Sequence, residues 1–175
     1  MQKHNDPEGC KCARCAAIAG GMTPDEATVA QTEWENKALV ERGFYVHYVS
    51  ADSSSPTNFN VHTHGMQAFD NHLDFQLVVP LPPESAHNII CTLAERVKSG
   101  ERFVSGQKLD KIIRGFEVKL VEAPEDDRRV LRIVLPDPDG KLEPEEINEQ
   151  YAVQYKGVEG VKLPKRSWVA YKPKR

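Results

Sequence analysis

Residues 59–64 read Phe-Asn-Val-His-Thr-His, two imidazoles two positions apart in a stretch with strand character. Side chains on a strand alternate between faces, so His62 and His64 share a face with Asn60 while Phe59, Val61 and Thr63 take the other. The stretch His72–Val79 alternates in the same way, with Leu73, Phe75, Leu77 and Val79 set against His72, Asp74 and Gln76. If the two stretches pair around Gly65–Asn71, a register with His64 opposite His72 also sets His62 opposite Asp74 and Asn60 opposite Gln76. Paired Cβ atoms then stand roughly 4.5–5.5 Å apart. His62, His64, His72 and Asp74 would form one patch, bordered by His47. Imidazole and carboxylate on neighbouring strands are a ligand set for zinc, iron or manganese. Without metal, a His–Asp pair is a candidate general base, because imidazole titrates near neutral pH. The competing reading is a polar sheet face in water, and a slip of one residue in the register would scatter the patch.

A second cluster lies near the start of the chain, Cys10-Lys-Cys12-Ala-Arg-Cys15. Three thiols within six residues read as metal or redox chemistry rather than a disulfide framework. Thiolates suit zinc, and Lys11 and Arg14 favour the ionised form. A closed tetrahedral site needs a fourth ligand, with His4, a histidine of the sheet patch or Cys91 as candidates. Cys91 falls well off the apolar stripe of its helix and reads better as a free helix cysteine. Folding of the cysteine arm over the sheet would merge the two clusters into one site.

The elements that must position these groups are marked by turn and cap residues. Thr23-Pro24-Asp25-Glu26 is a capping box with proline in the first helical turn, and Gly43 supplies a left-handed stop. Within that helix Ala27, Ala30, Trp34 and Ala38 form a stripe, with Trp34 as its main anchor. A strand over Phe44–Val49 follows, then a loop over residues 50–57 and the two strands above. Pro80-Leu81-Pro82-Pro83 stops the third strand and opens a helix whose Ala86, Ile89, Ile90, Leu93 and Val97 form a core-facing stripe that ends at Gly100. The pattern predicts a helical turn around Leu109–Ile113 and a hairpin of Phe116–Val121 with Val130–Leu135, with Pro124–Asp127 in its turn. A weak last strand is expected over Gln150–Tyr155. Pro136-Asp137-Pro138-Asp139-Gly140 is a tight loop that lacks the oxygen-ligand spacing of a calcium site. The order implies an α+β fold, an antiparallel or mixed sheet with two main helices packed on one face. The expected divisions are a cysteine-rich arm at 1–22, one domain at 23–155 and a basic tail at 156–175.

A net charge of −3 over 175 residues argues against wholesale nucleic-acid binding. From Val161 onward, however, Lys162, Lys165, Arg166, Lys172, Lys174 and Arg175 appear with no acid, and Trp168 and Tyr171 are interleaved. Such a tail is a candidate contact for phosphates and bases, or simply a solvated terminus. No apolar run long enough to span a membrane and no signal-peptide core is present, so the expected location is cytoplasmic. The nucleophile elbow, the phosphate loop and the dinucleotide fingerprint are all missing.

The run from Phe59 to Val121 resembles the bacterial family called domain of unknown function 4262. The resemblance lies in "HTHGM" (His62–Met66), "HLDFQLVVPLPP" (His72–Pro83), "AHNIICTLAERVKSGERFVSG" (Ala86–Gly106), "GFEVKLVEA" (Gly115–Ala123) and "VLPDPDG" (Val134–Gly140). It implies the fold and a bacterial origin and brings no activity or catalytic residues. The sequence therefore leaves three readings open. One is a zinc-binding domain that works by binding a ligand or partner, its metal held by Cys10, Cys12 and Cys15 with a histidine. Another is a metal-dependent hydrolase built on His62, His64, His72 and Asp74. The third is a nucleic-acid contact through the tail. An edge strand can support a dimer, though nothing in the sequence demands one.

Overall fold

The computed structural model describes residues 13–49, 59–79 and 81–163. In chain order its elements are α1 (Ala13–Ala19), α2 (Pro24–Arg42), β1 (Tyr45–Val49), β2 (Asn60–His64), α3 (Met66–Asp70), β3 (Asp74–Leu77), α4 (Pro83–Lys98), β4 (Lys108–Ile113), β5 (Phe116–Glu125), β6 (Arg128–Val134) and α5 (Glu149–Ala152), the last running into a 3-10 turn at Val153–Tyr155. No helix among the described residues is long and apolar enough to cross a membrane.

The six strands form one mixed sheet in the order β1-β2-β3-β6-β5-β4. All neighbours run antiparallel except β3 and β6, which are parallel with Asp74 opposite Val130 and Gln76 opposite Arg132. On one face, Val46, Val61, Phe75, Leu77, Leu120, Leu131 and Ile133 pack against Ala86, Ile90, Leu93, Ala94 and Val97 of α4. Burying each large side chain in that layer contributes about 1.5–3 kcal/mol. The other face is divided. Toward β5 it is apolar, where Val121 and Val134 meet Leu142, Ile147 and Tyr155. Toward β1 and β2 it carries the histidines.

Of the two long helices expected on one face, α4 is the one that covers it. Helix α2 lies against α1 and edge strand β1. Its capping box forms as expected, yet it buries only Ala27 and Ala38. Trp34, expected to be the anchor, is 49% exposed and meets the ring of Tyr45 edge-on at 6.0 Å. The stripe was present, but the surface facing it is a cavity rather than a packed neighbour.

Three local expectations are corrected. Leu109–Ile113 is strand β4, paired antiparallel with β5. Lys111 adopts a left-handed φ of 60° at an irregularity in the register, which puts the apolar residues Leu109, Ile112 and Ile113 at helix-like spacing within a strand. Gln150–Tyr155 is helical rather than extended, because the Asn148 side chain caps the Gln150 amide at 3.0 Å. The connection after His64 holds the short helix α3 instead of an open loop.

Two local devices fix the chain around the sheet. Gly65 follows His64 with φ 107°, and a Cβ there would stand 2.6 Å from the Gly43 carbonyl oxygen and 2.5 Å from Leu39 Cδ2. This close approach sets the end of β2 against the start of β1. At the far side of the sheet, Asp137 is 3% exposed and its carboxylate accepts the backbone amides of Asp139, Lys141 and Asn148 at 3.0, 2.8 and 2.8 Å. The side chain is thus committed to folding its own loop, in keeping with the absence of calcium-site spacing.

Burial pushes the Asp137 carboxyl up, but the three amide donors outweigh it and hold it below its ordinary value. Its stabilisation is therefore complete above the usual carboxylate range and is lost as pH falls through the lowered value. Asp137→Ala is expected to cost about 3 kcal/mol in urea unfolding near neutral pH, because three amides lose a charged acceptor. Asp137→Asn should lie between the two and show a shallower loss of stability in acid. Equal acid sensitivity of Asp137→Asn and the wild type would contradict this role.

Candidate metal centre

Strands β1 and β2 pair with His47 opposite His62 and Tyr45 opposite His64. Strand alternation puts His62 and His64 on one face, and cross-strand pairing brings His47 to the same face. Each of the three offers a ring nitrogen, and these atoms all lie within 4.8 Å of one another. The His62–His64, His47–His62 and His47–His64 ring centroids are 4.7, 5.0 and 5.7 Å apart. His62 is only 4% exposed, whereas His47 and His64 are half-buried.

The ring of His62 is fixed from behind. Its Nδ1 lies 2.7 Å from Glu125 Oε1 and 3.1 Å from Asn60 Oδ1, so Nδ1 carries the proton and donates it. Nε2 then presents its lone pair to His64 Nε2, 2.9 Å away. Two facing imidazole nitrogens at this separation need one proton or one cation between them. With a metal about 2.0–2.1 Å from each nitrogen, the same separation subtends roughly 90° at the ion. A carboxylate that holds the outer nitrogen of a ligating histidine is the usual support of a metal site.

Glu125 is itself held on every side. Oε1 accepts from Asn60 Nδ2 at 3.0 Å and Gln76 Nε2 at 3.1 Å, while Oε2 accepts from Arg128, with Nε at 3.0 Å and Nη2 closer. Arg128 also reaches Asp74 Oδ2 at 2.9 Å and so bridges two buried carboxylates. Arg132 extends the network, donating from Nε to Gln76 Oε1 at 2.7 Å and from Nη1 to the Gln154 and Lys156 carbonyls. Among the described residues, no buried side-chain nitrogen or oxygen lacks a hydrogen-bond partner.

These contacts set the charges. Burial alone raises the Glu125 carboxyl, but the hydrogen bond from His62, with Asn60 and Arg128, brings it down to about 2. Burial drives the His64 imidazole down to about 3, helped by the neighbouring His62, Arg128 and His47, so at neutral pH it is uncharged. Burial also depresses the Arg132 guanidinium to about 10, which leaves it a cation at neutral pH. Asp74 is shifted the other way. Burial lifts its carboxyl although Thr63, Arg128 and the Met66 amide favour the charged form.

The structure thus brings His62 and His64 together, adds His47 as the third member and places His72 elsewhere. The expected register is corrected by two residues, with His62 opposite Gln76 and Val61 opposite Leu77. A slip of two preserves the face, which is why the pair survives it. The cause is α3, whose compact helical turn takes up residues that an extended hairpin loop would not. His72 donates from Nδ1 to the Leu73 carbonyl at 2.7 Å and accepts the Phe103 amide on Nε2 at 3.2 Å. Both its nitrogens are committed, and its ring packs against Phe75 and Phe103. Asp74 accepts from Thr63 Oγ1 at 2.8 Å and from the Met66 amide, bracing β2 and β3 rather than contacting the imidazoles. Cys10 and Cys12 lie outside the described residues, as does the tail from 164 on; Cys15 is buried in α1. Cys91 lies 3.4 Å from His87 Nε2 on α4. Sequence reasoning missed Glu125, which it placed in the turn of the hairpin and which is the last residue of β5. Its only local signal is the alternation Val121, Ala123, Glu125 on one face of β5.

Arg128→Ala is expected to cost about 3 kcal/mol, since it leaves Asp74 and Glu125 buried without their shared cation. Combining it with Glu125→Gln should cost less than the sum of the two single losses. Urea unfolding of the single and double variants reads that coupling, and strictly additive losses would show that the bridge is not energetically real.

No curated protein matches the chain. The family model that matches spans residues 38–146, a range that includes the three histidines, Glu125 and Arg128 and leaves out the three-cysteine run. The chain belongs to the family described as Domain of unknown function (DUF4262).

Proposed function

We propose that this domain binds a divalent transition metal through His47, His62 and His64, with Glu125 fixing the ring of His62, and that it works by presenting the metal to a small ligand. The observation that carries this reading is the facing pair of ring nitrogens, 2.9 Å apart, with a carboxylate behind one of them. A polar sheet face in water has no need of a buried histidine tied to a buried glutamate. Neutral imidazoles suit zinc, iron and manganese alike, and zinc is the ion we favour for a set of nitrogen donors. The histidine site takes precedence over the cysteine site because its donor atoms converge within the described residues.

Three protein ligands leave coordination positions open, and His47 also lines a cavity of about 570 Å³. That supports a second reading, a metal-dependent hydrolase in which the ion lowers the pKa of bound water and polarises a carbonyl. In it Asp74, engaged by Arg128, Thr63 and Met66, braces the strands and does not move the proton. Trp168 and Tyr171 of the basic tail remain a proposed nucleic-acid contact of lower standing.

Elemental analysis of the purified protein is expected to show close to one zinc per chain. His62→Ala/His64→Ala should abolish it, and Cys10→Ser/Cys12→Ser/Cys15→Ser should retain it. Glu125→Gln should keep the fold by circular dichroism and weaken zinc binding about 10–100-fold in calorimetry. Metal that disappears with the cysteines and survives loss of the histidines would overturn the proposal.

A further inference from the structure

The cavity beside edge strand β1 has a chemistry of its own. Its volume of about 570 Å³ matches a small molecule rather than a helix or a protein surface. Its wall is aromatic, with Trp34 from α2, Tyr45 and Tyr48 from β1, and Phe59 at the entry to β2. Trp34 is 49% exposed, a large ring kept at a surface where it meets Tyr45 edge-on. Tyr45 connects this wall to the metal centre, since its other side stacks on His64 at 5.0 Å and 25°. Its hydroxyl stays protonated, pushed up to about 12 by burial and by Glu35.

The charges at the rim favour an anion. Among the described residues Arg14 and Arg42 both line the cavity, against one acid, Glu35. Glu35 is already occupied by the Gln31 amide at 2.6 Å and by the Tyr45 hydroxyl. A divalent ion at the histidines would add positive charge at the end marked by His47. A flat ring stacked on one of Trp34 and Tyr45 and meeting the other edge-on, since the two rings stand at 71° to each other, with an oxygen donor directed at His47, would use all of these features.

We infer that the cavity binds a planar aromatic carboxylate, its ring against the Trp34–Tyr45 wall and its carboxylate at the metal held by His47, His62 and His64. This inference rests on the metal reading above and names the ligand class of that site.

Calorimetry in two steps tests it. Zinc alone is titrated first into the metal-free protein; a failure to bind would overturn the metal reading and this inference with it. 2-Naphthoate is then titrated into zinc-loaded and metal-free protein, with 2-naphthamide as the uncharged control. Saturable binding of naphthoate to the zinc form is expected, weakened about tenfold or more in the metal-free form and for the amide. Trp34→Ala, folded by circular dichroism and still binding zinc, should lose affinity to a similar degree. Zinc uptake without naphthoate binding, or naphthoate binding of equal strength with and without zinc, would overturn the inference and leave the metal reading standing. Full affinity in Trp34→Ala would overturn the assignment of the aromatic wall.

Discussion

The hydrogen bond from His62 Nδ1 to Glu125 Oε1, 2.7 Å long and buried at both ends, ties β2 to β5 across the two strands between them. Three features depend on it. It fixes which nitrogen of His62 is protonated. It aims the remaining lone pair at His64. It also gives Glu125, ionised and inside the protein, one of the partners without which its burial would be unaffordable. A buried charge is tolerated only when nearly every lone pair is satisfied, and Glu125 has Asn60, Gln76 and Arg128 besides His62.

Such a network is seldom stabilising against an apolar replacement of the same volume. Here it lies between two apolar regions that supply the folding free energy, the α4 layer on the opposite face and the Leu142–Tyr155 cluster beside it. Arg132 joins the parts, since it holds Gln76 inside the network and the carbonyls of Gln154 and Lys156 at the edge of the second cluster. The arrangement has the form of a preorganised site. Its polar groups are fixed by one another, and His47 and His64 are the half-exposed members of the histidine cluster.

Much of this was legible in the sequence, and the limits have physical causes. The 3.6-residue period of Ala86, Ile90, Leu93 and Val97 marked the face of α4, and period-two alternation placed His62 and His64 together whatever their partners. Register is less legible because α3 takes up extra residues in the connection, so the expected partners of His72 and Asp74 are off by two, although Asp74 stays near the site. Glu125 was out of reach. Its role depends on the parallel pairing of β3 with β6, a contact between segments more than fifty residues apart with no local sign. Trp34 shows the opposite limit, where a helical stripe identifies an apolar face but not whether protein or an open cavity lies against it. Leu109–Ile113 shows how a bulge in a strand imitates a helical pattern.

The most direct test of the central claim is anomalous diffraction at the zinc absorption edge from crystals of the full chain grown with one equivalent of zinc. The account predicts a single strong peak within bonding distance of His62 Nε2, His64 Nε2 and a ring nitrogen of His47, with Glu125 still hydrogen-bonded to His62 Nδ1. A peak at the Cys10–Cys15 run with none at the histidines, or no peak at full zinc occupancy in solution, would contradict it.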